Sequence, residues 1–333
     1  MSSSSALTDV PVIDLSRAVA GDPAARAAVG AEIDRTCREV GFLVIGGHGV
    51  PQSLVDEAFA TAAAFFDLPQ AEKDRFRPAD NAAPRGYHAL GTKNLARTLG
   101  LDRPFDLREQ FYIGPLAPDR ARVAHIPEAA AMYQDNIWPD RPAEWRDVFT
   151  RYYRAMATLG AELMRLFALG LGLPERYFDP FIDNHFATLP SNNYPEPGAP
   201  PLPGQLRAGE HTDFGSLTIL AMNDAPGGLQ VQMADGAWRD VKAARGQFIV
   251  NIGDMMQRWT NDVWRSTLHR VANPAPEDWG RSRRQTIGFF LHPNYDAEIA
   301  SLPGCSTAER PAKYPPILAG ELMRQKLQAR AKA

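Results

Sequence analysis

Cysteine is nearly absent: the 333 residues hold only Cys37 and Cys305. Cys37 shares a helical face with Val29, Ile33 and Val40, so a buried free thiol is expected rather than a bridge. Long apolar runs are also missing, which argues against a helix that crosses a membrane. The opening Met-Ser-Ser-Ser-Ser-Ala carries neither a basic nor an apolar stretch, so no secretory leader is expected. Net charge is only −3, with no basic block and no interleaved aromatic stripe, and nucleic acid is therefore not an expected partner. No internal repeat, Gly-rich phosphate loop or dinucleotide fingerprint is present. These absences fit a cytoplasmic protein, expected to be a monomer with neither nucleic acid nor membrane as partner. Its 44% hydrophobic content is enough for a substantial core at this length.

What the chain does have is a constellation of metal-binding residue types. His211 and Asp213 lie two apart, so on a strand, or on the turn leaving one, their side chains can face the same side. His269, inside the alternating Ser266-Thr-Leu-His-Arg-Val271, is the natural third ligand. Two imidazoles and a carboxylate on one face of an octahedron leave three positions open, as in non-haem Fe(II) oxygenases. Each piece alone is weak, since H-x-D pairs arise by chance and the chain has seven histidines. Order and surroundings give the pattern its weight.

Those surroundings read as strands. The Pro-rich 195–204 precedes the pair, and Leu217–Met222, Leu229–Gln232, Trp238–Val241 and Phe248–Ile252 follow it, separated by turn signals such as Gly227-Gly228. Short strands at regular spacing predict a sandwich or barrel. Helices flank them. Asp22-Pro23 reads as an N-cap followed by Pro at the first helical position, opening a helix to about Arg38, and Pro51 opens a second with Leu54, Val55, Phe59 and Phe66 inward. Beyond Pro142, the three-to-four spacing of Trp145, Val148, Tyr152, Met156, Leu159, Leu163 and Leu166 predicts a long helix with a core face. The tail from Ala319 is helical in composition, either a lid over the barrel mouth or a solvated terminal helix.

His211-Thr-Asp-Phe-Gly, Gly227-Gly-Leu-Gln-Val, Val250-Asn-Ile-Gly-Asp254, Ser266-x-x-His-Arg-Val271 and Arg284-x-Thr-Ile-Gly-Phe-Phe290 occur in one order along the chain. Val10–Leu15, Gly41–Ile45 and His48-Gly-Val50 precede them. Together these motifs resemble the isopenicillin N synthase-like branch of the Fe(II)/2-oxoglutarate-dependent dioxygenases, over nearly the whole chain. The resemblance implies an α+β, mainly β fold: a double-stranded β-helix (jelly roll) core flanked by helices, in one compact unit. It divides the chain into an N-terminal dioxygenase region (8–125), a helical connection (126–184), the jelly-roll core (185–295) and a tail (296–333).

It also implies roles. His211, Asp213 and His269 would hold Fe(II), with 2-oxoglutarate as cosubstrate, O2 as oxidant and ascorbate as an optional reductant. Arg284 and Thr286, two apart on a predicted strand, suit a carboxylate, because the guanidinium gives a bidentate charge-assisted pair and the hydroxyl another bond. In the family this pair usually reads Arg-x-Ser, so Thr286 is a departure that keeps the hydroxyl and adds a methyl. Within Asn192-Asn-Tyr194, which resembles the family's Asn-x-Tyr, Tyr194 would donate to the cosubstrate and Asn192 would lie near its chelating end. The segment 85–112 is the least family-like. One or two of its cations, Arg85 before Lys93, Arg97, Arg103 or Arg108, are expected to bind an anionic group of the substrate, with Tyr87, Phe111, Phe214 and Phe290 as apolar walls. His48 reads as structural, His185 and His292 as surface or turn residues, and Asn251 and Asp254 as structural turn residues.

The implied reaction oxidises an unactivated C–H bond of a small metabolite, with release of succinate and CO2. Hydroxylation is expected first, with desaturation or cyclisation as variants. Three rivals stand beside it: an Fe(II) oxidase that uses no 2-oxoglutarate, a zinc hydrolase (disfavoured because no general base is evident), and a non-catalytic jelly-roll binding protein.

Overall fold

Continuous apolar runs such as Phe-Leu-Val-Ile and Phe-Ile-Val-Asn-Ile become central strands because they are buried on both faces. The computed structural model describes residues 9–79 and 83–332. The leader-free reading of Met1–Ala6, the first residue of the 8–125 stretch and Ala333 of the tail lie outside these residues. In chain order the strands are β1 (Val12–Asp14), β2 (Phe42–Gly46), β3 (Gly86–His88), β4 (Glu109–Ile113), β5 (Leu189–Tyr194), β6 (Ala208–His211) and β7 (Leu217–Met222). They continue as β8 (Gly228–Gln232), β9 (Trp238–Asp240), β10 (Phe248–Ile252), β11 (His269–Ala272), β12 (Arg284–Leu291), β13 (Glu298–Ile299) and β14 (Ile317–Leu318). The helices are α1 (Ser16–Val19), α2 (Pro23–Glu39), α3 (Gln52–Phe66), α4 (Gln70–Asp74), α5 (Trp145–Gly170), α6 (Asp179–Ile182), α7 (Asp254–Trp259) and α8 (Ala319–Lys332).

Two sheets make the core. The large one runs β1-β2-β10-β7-β12-β5-β4-β3, antiparallel except for the β1–β2 pair. The small one runs β6-β11-β8-β9, antiparallel throughout. Strands drawn from both sheets around a shared interior form the jelly roll.

The helices sit where their apolar stripes predict. Asp22 caps α2 by accepting from the backbone N–H groups of Ala24 and Ala25. The α5 stripe from Trp145 to Leu166 is buried, and α5 packs against α2 and α3. Each such side chain contributes about 1.5–3 kcal/mol on burial. At the α2–α5 crossing Gly30 and Gly170 let the backbones touch, since a Cβ on Gly170 would lie 2.4 Å from the Gly30 carbonyl oxygen. Cys37 and Cys305 are free and buried.

Two local expectations change. The strand predicted from Ser266 begins only at His269, because side chains take the preceding polar groups: Gln257 Oε1 accepts from the Ser266 N–H, and Thr267 Oγ1 donates to the Val40 carbonyl. His185 and His292 are not surface residues. His185 lies against Tyr153 and Phe289, and His292 is buried with its ring stacked on Phe186. Burial pushes their pKa values down to about 4 and about 3, so both are neutral in the folded protein.

Candidate active site

The ends of β6 and β11 place the two histidines. They are register partners across the antiparallel pair, with ring centroids 4.2 Å apart. Each ring is fixed by the same local device. His211 Nδ1 lies 2.7 Å from the Gly209 carbonyl and His269 Nδ1 lies 3.0 Å from the Thr267 carbonyl. A carbonyl only accepts, so both Nδ1 atoms carry a proton, and Nε2 is the atom each ring turns toward Asp213 as a metal ligand. Those Nε2 atoms are 3.9 Å and 3.7 Å from Asp213 Oδ1, and the three ligand atoms lie within 4.8 Å of one another.

Asp213 stands in the turn after β6, and the large sheet aims it. Thr218 Oγ1 on β7 donates to Asp213 Oδ2 at 2.6 Å, and Asn251 Nδ2 on β10 donates to the same oxygen at 2.8 Å. One carboxylate oxygen is thus occupied and the other faces the imidazoles. Asn251 therefore does more than hold a turn. Asp254 accepts from Thr212 Oγ1 in the H-x-D loop and pairs with Lys326 of α8.

Behind the three ligands an inner cavity is lined by Tyr194, Asn192, Arg284, Thr286, Leu229 and Val271 among others. The strand register assembles the four predicted cosubstrate residues, because Arg284 is opposite Tyr194 and Thr286 opposite Asn192 across β12–β5. Arg284 decides the character of this cavity. It is 3% exposed, and among the described residues no carboxylate touches it: its contacts are the carbonyls of Asn223 and Ala225 and the Met222 sulfur, while its Nε has no partner. Burial lowers its pKa, opposed by Tyr194 and Asp224. A guanidinium desolvated this far suits an anion.

The donor set therefore fits the two groups that the sequence resemblance implied. Two imidazoles and a carboxylate match a divalent redox metal with open positions, and a buried cation beside them matches a dicarboxylate. Residues 10–141 match the N-terminal family described as non-haem dioxygenase in morphine synthesis, and residues 181–293 match the 2OG-Fe(II) oxygenase superfamily. The chain is 32% identical to the 2-oxoglutarate-Fe(II) type oxidoreductase hxnY of Emericella nidulans, over 95% of this chain and 89% of the other. The chain belongs to the 2OG-Fe(II) oxygenase superfamily. The oxygenase is also 30% identical to validamycin A dioxygenase of Streptomyces hygroscopicus, over 95% and 85% of the two chains. Among solved structures it is similar to that of a full-length Neurospora crassa protein in complex with alpha-KG, at a TM-score of 0.83 and 31% identity over 96% of each chain. The family uses Fe(II), 2-oxoglutarate and O2, which favours the main reading over the oxidase, hydrolase and binding-protein rivals.

An outer cavity of about 160 Å³ adjoins the ligands on the other side. Phe214 and Phe290 line it, together with Met323 and Leu327 of α8, so the tail helix forms part of its wall. Arg85, Tyr87 and Phe111 do not line it. The pleat puts them on the opposite face of β3 and β4, where Phe111 packs on Phe65 and Trp145, and the Tyr87 hydroxyl donates to Glu109 at 2.5 Å. Arg85 is buried there, donating to the carbonyls of Pro84 and Met132. Of the candidate cations in the same segment Lys93 and Arg108 line the cavity, and β4 adds Gln110 and Tyr112. Their parity, one residue out of phase with Phe111, was the signal in the sequence. His292 also lines the cavity, and no pattern in the sequence marked it.

Among the described residues no helix is long and apolar enough to cross a membrane.

Proposed function

We propose that His211, Asp213 and His269 hold Fe(II), and that Arg284, Thr286 and Tyr194 bind the far carboxylate of 2-oxoglutarate with Asn192 near its chelating end. The substrate then lies in the outer cavity against Phe214 and Phe290, and hydroxylation of a small metabolite is the reaction. The single observation that carries this reading is Arg284: a buried guanidinium with no carboxylate partner among the described residues, in the same cavity as the three ligands.

When bound, the metal supplies activation of O2 by the electrons of 2-oxoglutarate and the substrate. The residues do the rest. Thr218 and Asn251 hold Asp213 in one orientation, and the Gly209 and Thr267 carbonyls hold the histidine tautomers. Arg284 neutralises the cosubstrate charge and Thr286 offers it a hydroxyl proton. The apolar wall and α8 keep water from the reacting carbon, so that positioning does the protein's share of the work. Two unpaired buried thiols support a reducing, cytoplasmic setting.

An anaerobic titration with Fe(II) and 2-oxoglutarate tests the reading through the visible metal-to-cosubstrate charge-transfer band. The band should need both components and should weaken in Arg284→Ala. No band in the wild type, or an unchanged band in the variant, would defeat it.

A further inference from the structure

A hydrogen-bonded rung links the two cavities. Gln110, Asn192 and Thr286 are aligned across β4, β5 and β12 as successive register partners. Gln110 Nε2 donates to Asn192 Oδ1 at 2.6 Å, and Asn192 Nδ2 donates to Thr286 Oγ1 at 2.9 Å. Thr286 lines the inner cavity, Gln110 the outer, and Asn192 both.

The direction of this rung follows from the cosubstrate. If Thr286 gives its proton to a carboxylate, its oxygen must accept from Asn192, which then shows its own oxygen to Gln110. Gln110 must answer with its NH2. Its Oε1 is left over, buried and without a partner.

Two residues earlier on the same face is Arg108. Its Nε is likewise buried without a partner, and both residues are at least nine-tenths buried. The charge of Arg108 is already opposed, since Nη2 lies 3.3 Å from Asp106 Oδ2. Arg108 and Gln110 both line the outer cavity, Arg108 the inner one as well, so the pair brings one unpartnered donor and one unpartnered acceptor to its wall. An anionic substrate would satisfy Arg108 but set oxygen against Gln110 Oε1. A planar amide edge satisfies both, because it presents a carbonyl beside an N–H.

We propose that Arg108 and Gln110 select a neutral substrate carrying an unsubstituted amide edge: a lactam, imide, ureide or carboxamide. Arg108 donates to its carbonyl and Gln110 Oε1 accepts its N–H, while Phe214 and Phe290 supply apolar contact. This selection rests on the cosubstrate reading above, and it replaces the anionic group expected from Arg85.

Calorimetry on the full chain loaded with Mn(II) and 2-oxoglutarate tests it. The probes are glutarimide, 2-piperidone, hydantoin and benzamide, the N-methyl form of each, and glutarate and benzoate. At least one N–H amide should bind, with its N-methyl form at least tenfold weaker. Gln110→Leu should bring that ratio to within threefold. Arg108→Met should weaken both members of the pair and preserve the ratio, since both keep the carbonyl, and this contrast separates recognition from misfolding. Binding of no N–H amide, equal binding of N-methyl forms, preference for the carboxylates, or a ratio that survives Gln110→Leu would each overturn the proposal. Failure of the wild type to bind 2-oxoglutarate in the first titration would instead overturn the cosubstrate reading.

Discussion

His269 lies directly opposite His211 across the β6–β11 pair, and each ring is tied through Nδ1 to the carbonyl two residues before it. The pair is thereby prepared before any metal arrives. Replacing either histidine with Ala should abolish Fe(II) binding and turnover while leaving the circular dichroism spectrum unchanged. Metal content after anaerobic loading checks this.

Asp213 is held by two donors, and these should matter almost as much as the ligand. Thr218→Val or Asn251→Ala should weaken Fe(II) binding by about 10–100-fold, the usual cost of losing a hydrogen bond to a metal ligand. Equilibrium dialysis of the variants gives the number.

Arg284 is expected to act on cosubstrate alone. Arg284→Ala should raise the 2-oxoglutarate KM with a loss of about 2–5 kcal/mol, the range for removing one partner of a buried charge pair. Fe(II) affinity should be retained, and a metal titration without cosubstrate distinguishes the two effects.

Met323 and Leu327 of α8 line the outer cavity, and α8 is tethered by Lys326 to Asp254 at 2.6 Å. Met323→Ala with Leu327→Ala should raise the substrate KM more than it lowers metal affinity. Succinate formed without substrate oxidation should also increase, because water reaches the site. Comparing succinate with oxidised product measures this.

His185 gives a pH signature. Burial lowers its pKa to about 4, whereas the unfolded chain titrates near 6.5. Between these values the unfolded state binds the extra proton, so stability falls as pH drops through 6.5 and levels off below about 4. From pH 7 to pH 5 this one group should remove about 2 kcal/mol. Denaturant unfolding of wild type and His185→Gln at both pH values tests it, with the smaller pH dependence expected in the variant.

Local patterns were enough to read most elements, and ordered motifs resembling a known family carried the chemistry. Apolar runs marked β7, β10 and β12 and the three-to-four stripe marked α5, because these patterns are local and periodic, whereas H-x-D, the distant His269 and Arg-x-Thr marked the site through their order along the chain and the family they resemble. Which residues share a cavity depended on the packed chain. Phe111 and Gln110 are neighbours in the chain, yet the pleat sends one into the core and the other to the site, and only pairing with β5 fixes that parity. Asn251 and Thr218 meet Asp213 only when β10 and β7 lie side by side. His292 reads as a turn residue until Phe186 stacks on it. Contacts between distant strands carry no local period, so their partners emerge only when the sheets form.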